Sequence, residues 1–414
     1  MGNDDEKSET IAHNAKFTNI KKNAEILNQN VSEWLTMVID IPPDGAGDHF
    51  QDTHSVRSQY EMCLDAPNYT VFSNVTSEDS YNQTHPSEHV YSLETPHDAV
   101  HLAVGGFYQP GPEGYNADET LYLGANGDMG ENDTASFDPI FFFHHSFIDY
   151  VFAAWQHKHK KTARGSLTID YQYAGTTLKD LQGQPPNFPP DYKITMDTPL
   201  YPFEFENSLP GVYYTPNDVT DLSELGYSYA GGSLENVFTK SQVGSTQKVS
   251  EAQLTLEGLY STSIVKAPPK ELSAELGPLV FTKRVYNINR ADYAGSFVVR
   301  LYATGYHGET IEVGRKAVLS RRNIQGCRNC QNHLDVELYV PIYQALLDHL
   351  RGPNGKDTSI GWHTEIQSHK QLQKYDFKDG AERPGPRMEH MRPNPTRSEG
   401  REVASGRPQW GGPR

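Results

Sequence analysis

The segment of residues 138–150, DPIFFFHHSFIDY, constrains the fold more than any other part of the chain. Asp138 suits the N-cap of a helix and Pro139 suits its first position. The apolar run that follows predicts a helix through Trp155 to about residue 159. Three consecutive phenylalanines, Phe141 to Phe143, indicate that the two histidines directly behind them are largely buried.

The adjacent residues His144 and His145 therefore need polar partners. A buried imidazole without a hydrogen-bond partner costs free energy, and a metal ion can supply the missing interaction. A role in the core without metal is the alternative for this pair.

A second histidine pair lies upstream, in the segment of residues 96–106, PHDAVHLAVGG. Pro96 suits a first helical turn, and the glycine pair Gly105-Gly106 suits a helix end. On such a helix His97 and His101 lie on one face, because residues four apart are neighbours. Together with one histidine of the first helix they would make a three-nitrogen site. An all-histidine set favours copper or catalytic zinc, although two surface histidines would explain this pair on its own.

Length and composition define the class of protein. A chain of 414 residues predicts two domains plus tails, and its net charge of −17 disfavours nucleic acid or an anionic membrane as the main partner. The N-terminus lacks the features of a signal peptide and no apolar run reaches about 18 residues, so the chain as written is predicted to be cytoplasmic. Secretion, with a truncated N-terminus, is the alternative, because five glycosylation sequons lie in the first third of the chain, at Asn30, Asn68, Asn74, Asn82 and Asn132.

The first half of the chain predicts a mainly α-helical core with long loops. Residues 1–20 are predicted to be disordered, and the core spans residues 21–229. Further helices are predicted at residues 20–39 and 53–64, with a long polar loop to residue 84. Two further irregular segments are predicted. One is a Gly/Asn/Asp-rich loop at 107–137, and the other, at 163–229, wraps around the helical core.

The second half predicts a β-sandwich-like domain. Residues 230–277 are predicted to be a linker, residues 278–375 a β-rich domain, and residues 376–414 a disordered tail. Alternating patterns predict antiparallel strands at 279–288, 295–303, 309–319 and 334–340, followed by a short helix at 341–350.

These motifs resemble a known family. The arrangement His97-x3-His101-x3-Gly-Gly, followed by DPIFFFHH-x3-Asp149, is similar to the second copper-binding half, CuB, of the tyrosinases and catechol oxidases, which are type 3 copper proteins. The segments YEMCL at 60–64 and YTVFSN at 69–74 are similar to those of fungal members. The resemblance implies a helical-bundle copper core and an enzyme that oxidises phenols or o-diphenols to o-quinones with O2, as in pigment or phenolic metabolism. A small phenol and O2 would be its partners.

The resemblance also implies roles for individual residues. His97, His101 and His145 would bind one copper ion, with His144 packed beside them and Asp149 as an anchor. Glu94 would hold a water near the copper, although a helix-start carboxylate that favours the helix dipole is the alternative. Phe141 would lie near the substrate ring. Asp98 stands where monophenol-hydroxylating relatives often carry Asn, which favours diphenol oxidation over monophenol hydroxylation.

A complete member of the family holds two copper ions, each on three histidines. The histidines upstream of His97 lack the aromatic helical context of the family's first site, CuA, so we expect this chain to carry CuB alone. A truncated gene model or isoform is one explanation, and a paralogue that has lost one half is the other. The upstream histidines are His13, His49, His54, His85 and His89, of which the last two have helical spacing but lie around Pro86 in a polar segment.

The C-terminal half carries two further marks of the family. Tyr227-Ser228-Tyr229 resembles the Tyr-x-Tyr sequence that closes the tyrosinase core, and the β-rich domain after it would cover the active site until it is cleaved. Cys327 and Cys330 form a Cys-x2-Cys pair that could be redox-active, bind zinc or bind Cu(I). The resemblance implies that they deliver copper to the core, and unpaired surface thiols are the alternative.

Two other classes remain open at this point. One is a non-catalytic protein that binds a single copper ion. The other is a zinc hydrolase with three histidines and an activated water.

Overall fold

The computed structural model describes Val31, Trp34 and most of the chain from residue 55 onward. The described ranges are 55–105, 107, 128–176, 188–189, 192–205, 210–230, 277–293, 295–306, 308–321, 323–324, 334–352, 360–368, 372–377 and 385–392. The predictions for residues 1–20, for the linker and for Cys327 and Cys330 lie outside these residues, as does nearly all of the helix predicted at 20–39.

Three helices precede the first histidine pair: α1 (Val56–Cys63), α2 (Tyr69–Ser73) and α3 (Val75–Thr84). Helix α1 confirms the prediction for residues 53–64, whereas the polar loop predicted up to residue 84 is wrong. Two asparagines explain the difference, because the side chain of Asn68 accepts a hydrogen bond from the amide of Val71, and Asn74 accepts one from Ser77. Each asparagine thus caps a helix, and the sequence of the second of these helices, α3, is polar.

The two histidine-bearing helices are α4 (Glu94–Val104) and α5 (Ile140–His159). Both predictions are confirmed to within two residues. The sequence predicts Asp138 as the residue directly before the helix, but α5 begins one residue later, at Ile140. The Asp138 side chain still caps the helix, because it accepts a hydrogen bond from the amide of Ile140 at 3.1 Å. The distal half of α5 is anchored in a core cluster, where Trp155 stacks on Phe72 at a ring-centroid distance of 4.7 Å. Among the described residues, no helix is long and apolar enough to cross a membrane.

The C-terminal unit contains two antiparallel sheets that share one hydrophobic core. Strands β1 (Leu279–Asn289), β2 (Phe297–Thr304), β3 (Thr310–Val318) and β4 (Asp335–Tyr343) and helix α6 (Gln344–Arg351) confirm the predicted elements. Strands β5 (Gly361–Ser368), β6 (Leu372–Phe377) and β7 (Arg387–Met391) complete the unit. The strand orders are β4-β1-β7 and β3-β2-β5-β6, which is the predicted sandwich.

The last of these strands corrects the predicted boundary of the domain. Strand β7 lies in the tail that its composition predicts to be disordered, so that prediction is wrong for residues 387–391. It pairs with β1 through the backbone, and Arg284 of β1 bonds Glu389 of β7 at 2.7 Å. Cross-strand pairing and one ion pair thus order a segment that has little apolar area of its own.

The C-terminal unit packs directly against the helical core. Leu102 and Ala103 of α4 form a buried cluster with Val298 of β2 and Ala317 of β3. Beside this cluster the ammonium group of Lys316 lies 2.9 Å from both carboxylate oxygens of Asp79 on α3. In the described parts of residues 163–230 the chain forms turns, one short bridge and a 3-10 turn (Pro216–Val219), as predicted for wrapping segments.

Candidate metal centre

Helices α4 and α5 bring three histidine nitrogens together. Nε2 of His97 lies 3.1 Å from Nε2 of His101 and 3.2 Å from Nε2 of His145. Metal–nitrogen bonds of about 2.0–2.1 Å in tetrahedral geometry place two ligand nitrogens about 3.3–3.4 Å apart. The separations therefore match those of nitrogens that share one metal ion.

The other ring nitrogen of each of these histidines contacts an oxygen acceptor. Nδ1 of His101 donates to the carbonyl of Met129 at 2.9 Å, and Nδ1 of His145 donates to the carbonyl of Phe141 at 2.7 Å. Nδ1 of His97 lies 3.0 Å from a carboxylate oxygen of Asp98. Because these acceptors require a proton on Nδ1, each neutral ring directs a lone pair from Nε2 toward the shared centre. Such facing lone pairs repel one another unless a cation lies between them.

His144 forms part of the same cluster. Its ring stacks on that of His97 at 5.1 Å and 18°, in agreement with the packing role that the resemblance implies. However, it is only 7% exposed, and its Nε2 is buried with no hydrogen-bond partner. The ligand atoms of His97, His101 and His144 lie within 4.8 Å of one another. Nε2 of His145 contacts that of His97, but His145 is not a member of this close group, so the assignment of His145 as the third ligand stays a prediction and His144 is the alternative.

Burial favours the neutral form of three of these imidazoles, those of His101, His144 and His145. It lowers the pKa of His101 to about 4 and that of His144 to about 2, with a further contribution from the neighbouring His97 in both cases. Burial also lowers the pKa of His145, which is more accessible. A neutral ring is the form that binds a metal ion, so the site is prepared for a cation at neutral pH.

Two of the three phenylalanines before the histidines are exposed. Phe142 is 63% exposed and Phe143 is 72% exposed, whereas the burial predicted for the histidine pair is confirmed for His144 and only partial for His145. Helical spacing explains this result, because successive side chains point in different directions and only some of them face α4. Phe141 is the one that faces inward, and its ring centroid lies 3.9 Å from that of His145. This position, beside the cluster, is compatible with its predicted role near a substrate ring.

The two predicted carboxylates lie at the start of α4. Glu94 accepts a hydrogen bond from the amide of Val75 at 2.8 Å and thereby joins the starts of α3 and α4. Burial raises the pKa of Glu94, and the nearby Asp98 raises it further. Arg290 follows β1 and lies near both carboxylates. Burial lowers the pKa of its guanidinium group, and the negative charges of Asp98 and Glu94 oppose this lowering. Asp98 orients a ligand ring, whereas the water-holding role of Glu94 stays a prediction.

Asp149 connects α5 to the Tyr-x-Tyr sequence. The hydroxyl groups of Tyr227 and Tyr229 donate to the same carboxylate oxygen of Asp149, at 2.8 Å and 2.5 Å. This contact fixes the end of the helical core against α5, one turn after His145. The anchoring role implied for Asp149 thus has a physical basis in the structure.

Sequence reasoning missed the carbonyl of Met129, because a backbone acceptor leaves no mark in a side-chain motif. Among the upstream histidines, His85 lies at the C-terminal end of α3, where its Nδ1 contacts the carbonyl of Tyr81, and it is outside the cluster. His89 packs edge-on against Tyr91 and is also outside the cluster. His13, His49 and His54 lie outside the described residues.

The fold and the cluster define a helical core with a candidate histidine-only metal site, followed by a C-terminal β-sandwich. Residues 4–158 match the sequence model described as the common central domain of tyrosinase. The chain is 38% identical to "Tyrosinase HcTyr2" of Hahella sp. over 361 residues, or 83% of this chain and 56% of that protein. It is 39% identical to a tyrosinase of Aspergillus oryzae over 333 residues, or 77% of this chain and 54% of that protein. This chain belongs to the tyrosinase family, which implies copper as the metal.

A solved structure supports the same assignment. The tyrosinase from Burkholderia thailandensis at low pH superposes with a TM-score of 0.61 at 32% identity, over 91% of this chain and 64% of that one. This chain therefore spans little more than half the length of the two sequence relatives and about two thirds of this structural neighbour.

Proposed function

We propose that this protein is a copper oxidoreductase that converts phenols or o-diphenols to o-quinones with O2. In this reaction two o-diphenols each lose two electrons and two protons, and one O2 is reduced to two water molecules. The observation that carries the proposal is the contact of the His97 Nε2 atom with those of His101 and His145, in three rings whose Nδ1 atoms all lie against oxygen acceptors. Copper bound there would accept electrons from the substrate.

The residues of the chain have distinct roles in this proposal. His97, His101 and His145 hold the metal, and Asp98 orients the His97 ring. The ring of Phe141 lies against His145 and forms an apolar wall on which a phenol can pack. Glu94, whose pKa is raised by burial, is placed to hold a water or a proton beside the site.

The proposal includes one copper ion per chain, of the CuB type. Among the described residues, one cluster of histidines has the geometry of a metal site.

This observation also favours a second candidate, a non-catalytic protein that binds one copper ion. The two candidates differ in a single experiment, in which the copper-loaded protein is mixed with catechol while O2 consumption and quinone absorbance are recorded. We expect turnover that is absent in a His97→Ala variant of equal thermal stability. Copper binding without turnover would contradict the enzyme and support the second candidate, and turnover that survives His97→Ala would place the activity elsewhere.

A further inference from the structure

Two glycines meet at the base of the metal site. Gly105 follows the last residue of α4, and Gly130 ends the 3-10 turn Asp128–Gly130. A Cβ added to Gly105 would lie 2.2 Å from both the Cα and the amide nitrogen of Gly130, and 2.9 Å from the carbonyl oxygen of His101. These are backbone atoms, so the clash could be relieved only by moving one chain segment away from the other.

The backbone conformation does not explain why glycine stands at position 105. Its φ of −70° and ψ of 0° are accessible to every L-residue. Close approach of the two backbones is the remaining requirement, and only glycine meets it.

The turn that ends at Gly130 carries the acceptor for a ligand ring. Met129, next to Gly130, is fully buried, and its carbonyl accepts the hydrogen bond from Nδ1 of His101. On the opposite side, the amide of Gly105 donates to the carbonyl of His101 at 2.9 Å. The glycine contact therefore joins the helix that carries His101 to the turn that carries its acceptor.

We propose that the Gly105–Gly130 contact is a positioning element for the metal centre, because it holds the Met129 carbonyl against Nδ1 of His101 and so directs Nε2 of that ring at the metal. This inference rests on the proposed copper site, and it adds a requirement that lies outside the set of ligands. Gly105 and Gly130 are thus positioning residues rather than catalytic ones.

The test uses three variants of the full chain that the structure ranks in advance. Gly105→Ala forces the 2.2 Å clash, whereas a Cβ on Gly130 meets Gly105 only at 3.2 Å and beyond. Gly361→Ala at the start of β5 is the matched control, because it makes the same chemical change where an added Cβ would meet Thr304 only at 3.4 Å and beyond. Cu(I) affinity is measured by competition with a chelator, and the histidine tautomers of the metal-free proteins are measured by two-dimensional ¹⁵N NMR.

We expect Gly105→Ala to lower copper affinity by about 10–100-fold, which is the range for loss of a hydrogen-bond partner of a metal ligand. Gly130→Ala should also lower it, but by less than about tenfold, and Gly361→Ala should leave it unchanged. In the metal-free Gly105→Ala protein the Nδ1–H signal of His101 should weaken, while those of His97 and His145 persist. A defect in overall folding alone would not select one of the three rings.

Wild-type affinity and an unchanged His101 tautomer in Gly105→Ala would overturn the inference. If Gly105→Ala does not fold, Gly130→Ala decides, because a copper affinity and a His101 tautomer equal to those of Gly361→Ala would overturn the inference. If the wild-type protein binds no copper, the proposed function fails, and the tautomer comparison still tests the contact.

Discussion

The ion pair between Lys316 and Asp79 offers a quantitative test of how the C-terminal unit is attached to the helical core. The Lys316 side chain is 8% exposed and the Asp79 side chain is 20% exposed. Burial by itself lowers the pKa of an ammonium group, yet Asp79 and Glu78 raise the pKa of Lys316 above its ordinary value. Replacing Lys316 with Met removes the charge and keeps an apolar stem of similar length.

The structure gives the expected magnitude. A charge 2.9 Å from both carboxylate oxygens gains about 5–6 kcal/mol of attraction at an effective dielectric constant of about 20. Desolvation offsets part of this gain, but Lys316→Met leaves a partly buried carboxylate next to that of Glu78. Removal of one partner from a buried pair typically costs about 3–5 kcal/mol, which is the loss that we expect.

Urea unfolding, followed by tryptophan fluorescence and far-UV circular dichroism, measures this loss. The matched control is the exposed pair between Arg57 and Glu61, with side chains 35% and 49% exposed, where Arg57→Met should cost only about 0.3–0.5 kcal/mol. The double variant Lys316→Met/Asp79→Asn should recover a large part of the loss. If Lys316→Met costs no more than Arg57→Met, the reasoning about this interface is refuted.

Three further predictions concern the metal centre. Because burial lowers the pKa of His101 to about 4, the unfolded chain takes up a proton below about pH 6.5 while the folded metal-free protein does not. The free energy of unfolding of the metal-free protein should therefore fall by up to about 1.4 kcal/mol per pH unit for each such histidine as the pH decreases from 6.5 to about 4. A free energy of urea unfolding that does not change with pH over this window would contradict the prediction. His145→Ala should lower Cu(I) affinity at least about 100-fold while His144→Ala retains most of it, and the reverse order would assign His144 as the third ligand. Asp149→Asn should lower stability by about 1–2 kcal/mol, because two tyrosine hydroxyls lose a charged acceptor, and an unchanged thermal midpoint would contradict this role.

The elements that the sequence predicts well are those whose pattern and end signals agree. The alternation in β1 to β4 and the proline and glycine signals around α4 and α5 predict these elements to within a few residues. Helix α2 is missed because five residues are too few to show a helical period, and α3 is missed because its polar sequence lacks a periodic apolar face. The asparagine caps that start both helices also suit loops. Strand β7 is missed because its order depends on pairing with β1, which lies far away in the sequence.

The candidate site shows the same division between local and long-range information. The spacing of His97 and His101 and the start of α5 are local, and they predict which helices face each other. Exposure of Phe142 and Phe143 depends on what lies across from α5, which no local pattern records. The choice between His144 and His145 as a ligand depends on the orientation of their rings. The contact of the Met129 carbonyl with His101 depends on a turn that is distant from His101 in the sequence.

The number of copper ions that the full chain retains tests the central claim most directly. The protein is loaded with Cu(I) without O2, exchanged against a chelator, and analysed for metal and protein content, in parallel with His97→Ala, which removes a ligand common to both possible sets. The account predicts one copper ion per chain in the wild type and none in the variant. A wild-type protein that retains no copper, or a His97→Ala protein that retains as much as the wild type, would contradict it.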